Sequence, residues 1–232
     1  MGTRLRERLA ALVAAAVGWR FFKPIVFVAC AVPGLWLTVR TYQAFLGSDP
    51  TALGVDPSVT LIHESGKTAL ILLLITLSIT PLRRLLGVNR LQSIRRMLGV
   101  WAFMYAGLHV SVYLIADQLC YSPATCQVAA IGRDLIKRPF IIVGATAFFI
   151  LSLLAITSTT GWQRRLRKNW QRLHRLVYVA AVAAIVHFVW IQKSDIREPL
   201  RWGFFLAVLL ALRVVFAIQK RRRARVRLPV TA

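Results

Sequence analysis

The sequence lacks a nucleotide-binding fingerprint, a flavin domain and a P-loop, and no Gly/Ser-rich linker or internal repeat divides it. Without those motifs the chain has no nucleotide-dependent catalytic domain of its own, so soluble partners must supply or receive whatever it carries. The missing linkers predict one bundle with short connections. Charged residues are also scarce, at 17% of the 232 residues, while 57% are hydrophobic, which excludes an ordinary soluble domain.

Long runs without charge recur along the chain. The clearest are residues 97–116, 139–162 and 176–192, and weaker ones are residues 24–39, 68–82 and 202–219. About 20 apolar residues cross a bilayer as a helix, so we predict an all-α integral membrane protein with a single bundle of about six transmembrane helices. Its predicted parts are a basic N-terminal segment at residues 1–23, the bundle at residues 24–219 and a basic tail at residues 220–232.

The 31 basic residues are unevenly distributed. Four segments hold most of them, with five in residues 4–23, five in residues 83–96, six in residues 164–175 and seven in residues 213–227. These segments contain one acid, Glu7. Because Lys and Arg are retained on the cytoplasmic side during insertion, we predict a bacterial inner-membrane protein with both termini cytoplasmic. Arg20 and Lys23 directly precede the first apolar run, so we expect that helix to be kept rather than cleaved as a signal peptide.

The formal net charge of +23 has two interpretations. In a soluble protein it would indicate nucleic acid, because Lys and Arg neutralise phosphates. Here the uneven distribution of the basic residues indicates that they set the membrane topology, and that the basic tail contacts anionic headgroups of the lipid bilayer. We therefore predict no nucleic-acid partner.

The three cysteines fall into two environments. Cys30 lies in the first predicted span, whereas Cys120 and Cys126 share the outward connection after the third span. The outer compartment permits disulfides, so we favour a structural bridge between Cys120 and Cys126. Two free thiols and a catalytic dithiol are the alternatives.

All four histidines lie within or at the ends of predicted spans, where ionisable groups are usually functional or paired. A neutral imidazole is also a common axial ligand of haem iron, and helical bundles hold cofactors between facing helices. Helix rise places His109 and His187 at the same depth, roughly 20 Å from the inner ends of their helices. They are the natural axial pair for an outer-side haem. The alternative is that each histidine only hydrogen-bonds to a backbone carbonyl or another helix.

The other two histidines are harder to assign. His174 should lie near the inner face, where a second haem lacks an evident partner ligand. Helix geometry turns His174 and His187 to faces about 140° apart, so they cannot ligate one porphyrin. His63 begins the second span near the outer side and is a weak metal-ligand candidate.

Basic residues beside the spans can bind haem propionates, quinone oxygens or a flavin phosphate, or can simply set topology. The candidates for an inner-side anion are Arg95, Arg96, Arg172 and Arg175, and the candidate for an outer-side anion is Arg138. Arg213, inside the last apolar run, either has a buried partner or extends to the interface.

Several motifs occur in one order along the chain. They are LGVDP (53–57), HESGKTAL (63–70), ITPL (79–82), RRMLGVWAF (95–103), LHVSVY (108–113), LIKRP (135–139), AITSTT (155–160) and WQRLHRLVYVAAVAAIVHFVW (170–190). Through them the chain resembles the MsrQ family of haem-binding membrane subunits of the periplasmic methionine sulfoxide reductase system, in the ferric-reductase-like transmembrane group.

This resemblance implies that His109, His174 and His187 are haem-ligand positions, with one or two b-type haems inside the bundle. It also implies that electrons from the quinone pool pass outward to the periplasmic molybdopterin subunit MsrP, which repairs methionine sulfoxide, and that FMN is associated with the system. The chain itself is then an electron-transfer subunit without catalytic residues. The alternatives are a ferric-reductase-like electron carrier with another acceptor, and a haem-free small transporter or assembly factor.

Overall fold

The part of the chain that the structure describes folds into helices and contains no strand. The computed structural model describes residues 2–47, 49–117, 128–192 and 195–226. In chain order its helices are α1 (Gly2–Gly18), α2 (Phe22–Phe45), α3 (Pro57–Leu86), a 3₁₀ turn (Asn89–Leu91), α4 (Gln92–Val112), a π-helical turn (Tyr113–Asp117), α5 (Val128–Lys137), α6 (Pro139–Ile156), α7 (Thr160–Leu166), α8 (Lys168–Leu173), a 3₁₀ turn (His174–Leu176), α9 (Val177–Ile191) and α10 (Arg197–Val226).

Six helical segments among these residues are long and apolar enough to cross a membrane. They are Phe22–Phe45, Pro57–Leu86, Asn89–Ala116, Pro139–Ile156, Lys168–Ile191 and Arg197–Lys220. The predicted fold class, an all-α membrane protein with six spans, is therefore confirmed. Cys120 and Cys126, with their predicted disulfide, lie outside the described residues.

The helices extend beyond or fall short of the predicted apolar runs, and local hydrogen bonds explain two of these differences. α3 begins at Pro57 because Asp56 Oδ1 accepts from the backbone N–H groups of Ser58 and Val59, and proline is well suited to the first helical position. His63 therefore lies inside the helix rather than at its start. The run predicted to end at residue 162 ends as α6 at Ile156, and the side chain of Thr159 caps the separate helix α7.

The centre of the bundle is formed by α3, α4, α6 and α9, with α3 packed along α4 and α6 packed along α9. Both α2 and α10 pack against this centre. Its interior holds fully buried apolar side chains such as Leu77, Ala102 and Ala180. Large apolar side chains such as Phe149 and Phe204 point outward and are exposed, as expected where the surrounding solvent is lipid.

The two ends of the bundle differ in charge. One end holds the close of α3, the start of α4, and helices α7 and α8, with the basic residues Arg83, Arg84, Arg95, Arg96, Arg164 and Arg165. We name it the basic end and the other the opposite end. Because α4 and α9 both start at the basic end, their later residues approach the opposite end together.

Candidate functional site

His109 of α4 and His187 of α9 face each other inside the bundle. Their ring centroids lie 6.1 Å apart, and the ring planes are inclined by 87°. The sequence-based prediction that these histidines share a depth is confirmed by this contact. We call them the His109–His187 pair.

Each ring of the pair is fixed by a hydrogen bond to a backbone carbonyl on the neighbouring helix. His109 Nδ1 lies 2.8 Å from the carbonyl oxygen of Ile62, and His187 Nδ1 lies 2.7 Å from that of Phe140. A carbonyl can only accept, so each Nδ1 carries the proton and donates it. In a neutral imidazole the lone pair is then on Nε2, the form in which histidine binds a metal while a carbonyl orients the ring.

Two glycines make room for these rings. A Cβ atom added to Gly66 would lie 2.7 Å from His109 Nδ1, and one added to Gly144 would lie 2.7 Å from His187 Nδ1. Each glycine sits four residues after the carbonyl that its histidine contacts, one helical turn further on. Any larger residue would push the imidazole away from the carbonyl that orients it.

Each histidine forms a half-site with the carbonyl and the glycine that it contacts. The two half-sites repeat at a constant offset along the chain, a relation that the sequence motifs do not show. Residues 62 and 140, 66 and 144, and 109 and 187 each differ by 78 positions, and each histidine follows its carbonyl by 47. The only sequence signal is a recurring spacing between a glycine and a later histidine, because the residues around the two glycines are unrelated. The pair of α3 with α4 thus has the same local geometry as the pair of α6 with α9.

The His109–His187 pair fits an iron porphyrin. The 6.1 Å between the centroids would leave room for one metal ion between two imidazoles that bind it at about 2 Å each. Within the described residues no group of three or more His, Cys, Asp or Glu side chains could hold a metal ion. Two imidazoles without further protein ligands would suit haem iron, since the porphyrin supplies the other four ligands.

His174 lies at the basic end, away from the pair, in a different setting. Its ring stacks on Trp170 at 4.0 Å between centroids, and its Nε2 is 3.2 Å from Thr157 Oγ1. The Thr157 hydroxyl donates to the Leu153 carbonyl at 2.6 Å, so its oxygen accepts the proton of His174 Nε2. The structure therefore separates His174 from the His109–His187 pair, as the predicted opposite faces require.

A cavity of about 540 Å³ lies beside His174, between α3, α4, α6 and the α8–α9 segment. Its polar lining includes Arg95, Arg96, Arg175, Gln92, Gln163, Gln171, Ser158 and Tyr178. We call it the basic cavity. Three of the four predicted inner anion contacts line it, whereas Arg172 is exposed and does not. Neighbouring guanidinium groups in a partly apolar cavity favour an anionic occupant.

The remaining candidates lie near the opposite end. The His63 ring is 6.0 Å from that of Phe188, and its Nδ1 is 3.5 Å from Glu64 Oε1. Arg138 directly precedes α6, two residues before the carbonyl that holds His187. The structure thus places Arg138 at the end nearer the pair.

Fold and site together define the class of this chain: a multi-pass membrane protein with a paired-histidine site inside a helical bundle. Comparison with known proteins agrees with that class. A family model described as a ferric reductase like transmembrane component matches residues 65–185. The match contains His109 and His174 and ends just before His187.

Three individual relatives show more closely which family this is. The chain is 44% identical to a protein from Xanthomonas euvesicatoria pv. vesicatoria, over 86% of this chain and 88% of the relative. It is 49% identical to one from Xanthomonas campestris pv. campestris, over 76% and 77%, and 42% identical to one from Herminiimonas arsenicoxydans, over 87% and 88%. Each is a protein-methionine-sulfoxide reductase heme-binding subunit MsrQ. The chain belongs to the MsrQ family, within the ferric-reductase-like transmembrane proteins.

Proposed function

We propose that this chain is a haem-containing electron-transfer subunit of the bacterial inner membrane. The observation that carries the proposal is the His109–His187 pair, with both Nδ1 atoms bonded to carbonyls and both rings at a separation that suits one iron. Bound there, b-type haem supplies a one-electron redox centre. The protein's part is to hold the axial ligands in one orientation and to exclude water from the bundle interior.

The proposed donor is the quinone pool, and the proposed acceptor is the periplasmic molybdopterin subunit MsrP. Oxidation of a quinol releases two electrons and two protons, and reduction of one sulfoxide by the acceptor consumes two electrons and two protons. Electrons enter at the basic end and leave near the His109–His187 pair. Support comes from the relatives' name as subunits of a methionine sulfoxide reductase and from the two separated histidine sites.

A second redox group is proposed for the basic cavity. A second haem is favoured because His174 lines that cavity beside three arginines, which offer one axial ligand and partners for carboxylates. Because His174 Nε2 donates a proton to Thr157, the ring would have to give up this hydrogen bond and carry its proton on Nδ1 in order to hold iron through Nε2. FMN and the quinone headgroup are the other candidates for this space.

The first test is a dithionite-reduced minus oxidised visible spectrum of the purified protein, with haem quantified per chain. We expect a b-type spectrum with two haem components. One haem component should be lost in both His109→Ala and His187→Ala, and the other should be lost in His174→Ala. His63→Ala tests the remaining histidine and should keep both components, since the contacts of His63 are with Phe188 and Glu64. A protein without haem would contradict the proposal and favour the transporter or assembly-factor class.

The second test separates the acceptors. In a strain that lacks this chain, we expect methionine sulfoxide in periplasmic proteins to persist, and the wild-type chain but not His109→Ala to restore its reduction. Unchanged repair in the deletion strain would reject MsrP as the acceptor. It would favour a ferric-reductase-like carrier that delivers electrons elsewhere.

A further inference from the structure

Arg213 of α10 is partly buried where α10 packs against α3 and α9, and it ties these three helices together. Its Nη1 donates to the hydroxyl of Tyr178 on α9, and its Nη2 donates to the carbonyl of Leu77 on α3, 2.6 Å away. The guanidinium carbon is 4.8 Å from the centroid of the Tyr178 ring. The cation is therefore held on the face of an aromatic ring and by two acceptors, neither of which carries a charge.

No carboxylate neutralises this cation within the described part of the chain. The ion pairs there are Lys67–Glu198 and His63–Glu64, and Arg213 belongs to neither. Its Nε is buried and has no hydrogen-bond partner among the described residues. A cation among membrane helices is costly unless something offsets its charge, and two neutral acceptors offset only part of that cost.

Tyr178 connects Arg213 to the basic cavity. It lies one helical turn after His174, on the same side of the helix, and both side chains line the cavity. Arg213 thus stands directly behind one wall of the cavity, while Arg95, Arg96 and Arg175 stand at its basic rim. A group in the cavity experiences this positive charge through a medium of low dielectric, where Coulomb interactions are strong.

We infer that Arg213 is an electrostatic positioning residue that makes the redox group in the basic cavity easier to reduce, and that Tyr178 holds its charge at the cavity wall. This inference rests on the proposed second redox group. The reduced group holds one more electron than the oxidised group, so a fixed positive charge nearby stabilises the reduced form. No bond of Tyr178 or Arg213 is made or broken in this step, and the electron comes from the quinol.

The test is a potentiometric titration of the haem-loaded protein, followed at the visible bands. In Arg213→Gln we expect the component that depends on His174 to shift to lower potential, because glutamine can still donate to the Leu77 carbonyl but carries no charge. Arg213→Lys should restore most of the wild-type potential. Tyr178→Phe, which removes only the hydroxyl, should shift the same component part of the way.

Two internal references accompany the titration. The component that depends on His109 and His187 should keep its potential, because Leu77 lies roughly 16 Å along α3 from the glycine beside His109. Arg165→Gln removes one exposed positive charge that lies over Trp162 and should shift neither component.

A double variant tests whether Tyr178 acts through Arg213. In Tyr178→Phe/Arg213→Gln the shift in potential should not exceed that of Arg213→Gln alone, because both changes act through one charge.

Three results would overturn the inference. If the wild-type protein has no haem component that depends on His174, the second redox group is absent and the inference fails with it. A His174-dependent component with the same potential in Arg213→Gln and Tyr178→Phe leaves the second group standing and rejects the role of Arg213. If Arg213→Gln does not fold, Tyr178→Phe decides, and a lower melting temperature with an unchanged potential marks a purely structural contact.

Discussion

The backbone N–H of Gly34 donates to the hydroxyl oxygen of Tyr105, 2.7 Å away, and the same hydroxyl donates to the Cys30 carbonyl, also 2.7 Å away. Cys30 and Gly34 are four residues apart on α2, so a side chain of α4 bridges two groups that a regular helix pairs directly. This contact lies next to Pro33, which has no N–H to donate. Tyr105 is buried, one helical turn before His109 on the same helix.

Tyr105→Phe tests this bridge. We expect a loss of about 1 kcal/mol of stability, because the buried hydroxyl makes two hydrogen bonds while Cys30 and Gly34 can partly recover by bonding to each other. Haem content should stay at the wild-type value. Thermal unfolding in detergent and the haem-to-protein ratio measure the two quantities.

Gly34→Ala is the companion change, since its Cβ would lie 2.9 Å from the Tyr105 hydroxyl oxygen. Alone it should destabilise by about 1–3 kcal/mol through overpacking. In Gly34→Ala/Tyr105→Phe the clash is gone, so the double variant should lose less than the sum of the single losses. Additive losses would show that the hydroxyl does not fill this space.

The repeated half-sites predict equal sensitivity at Gly66 and Gly144. In Gly66→Ala and in Gly144→Ala the new methyl group would lie 2.7 Å from an imidazole, so each should displace its histidine and lower haem occupancy. We expect each variant to lose the component that His109→Ala and His187→Ala also lose, and to be destabilised by about 1–3 kcal/mol.

Gly107→Ala is the matched control for these glycines, because a Cβ there meets nothing within 4 Å. It should keep full haem occupancy and gain up to about 1 kcal/mol from the better helix propensity of alanine. Full occupancy in Gly66→Ala or Gly144→Ala would mean that the rings can move without losing their ligand role. That outcome would contradict a site oriented by the Ile62 and Phe140 carbonyls.

The ion pair between Lys67 and Glu198 predicts coupling between α3 and α10 near the opposite end. Lys67 Nζ lies 2.5 Å from Glu198 Oε1, and both side chains are mostly covered. Lys67→Met removes the cation that pairs with this carboxylate and should cost about 1 kcal/mol or more. Lys67→Met/Glu198→Met should recover most of that loss, because an apolar pair needs no partner.

Thermal unfolding of the two single variants and the double variant, arranged as a cycle, measures this coupling. The potential of the haem component that depends on His174 is the reference and should not change, since neither Lys67 nor Glu198 lines the basic cavity. A double variant less stable than both singles would show that the two side chains stabilise the helices independently of each other.

The distribution of basic residues predicts that both termini face the cytoplasm. Green fluorescent protein fused after Ala232 should fluoresce, and alkaline phosphatase at the same position should be inactive, because positively charged loops stay inside. Phosphatase fused after Gly47, which follows the first span, is the control and should be active. An active phosphatase after Ala232 would reverse the orientation.

The fold class could be predicted from the chain alone because a bilayer imposes simple requirements. A helix that crosses it must be apolar over about 20 residues, and every such run is visible in a single sequence. The ends of α3 and α6 were misplaced because apolarity does not show where a side chain such as that of Asp56 or Thr159 caps a helix. Hydrogen bonds, rather than hydrophobicity, set those boundaries.

The sequence by itself also placed His109 level with His187 and His174 nearer the basic end, since position along a helix follows from the rise per residue. Only the tertiary structure decided which rings face each other, because that depends on how α4 packs toward α9 and on how close α3 and α6 approach them. The roles of Gly66, Gly144 and Arg213 became visible only there. Each depends on an atom contributed by another helix, and no single helix carries that information.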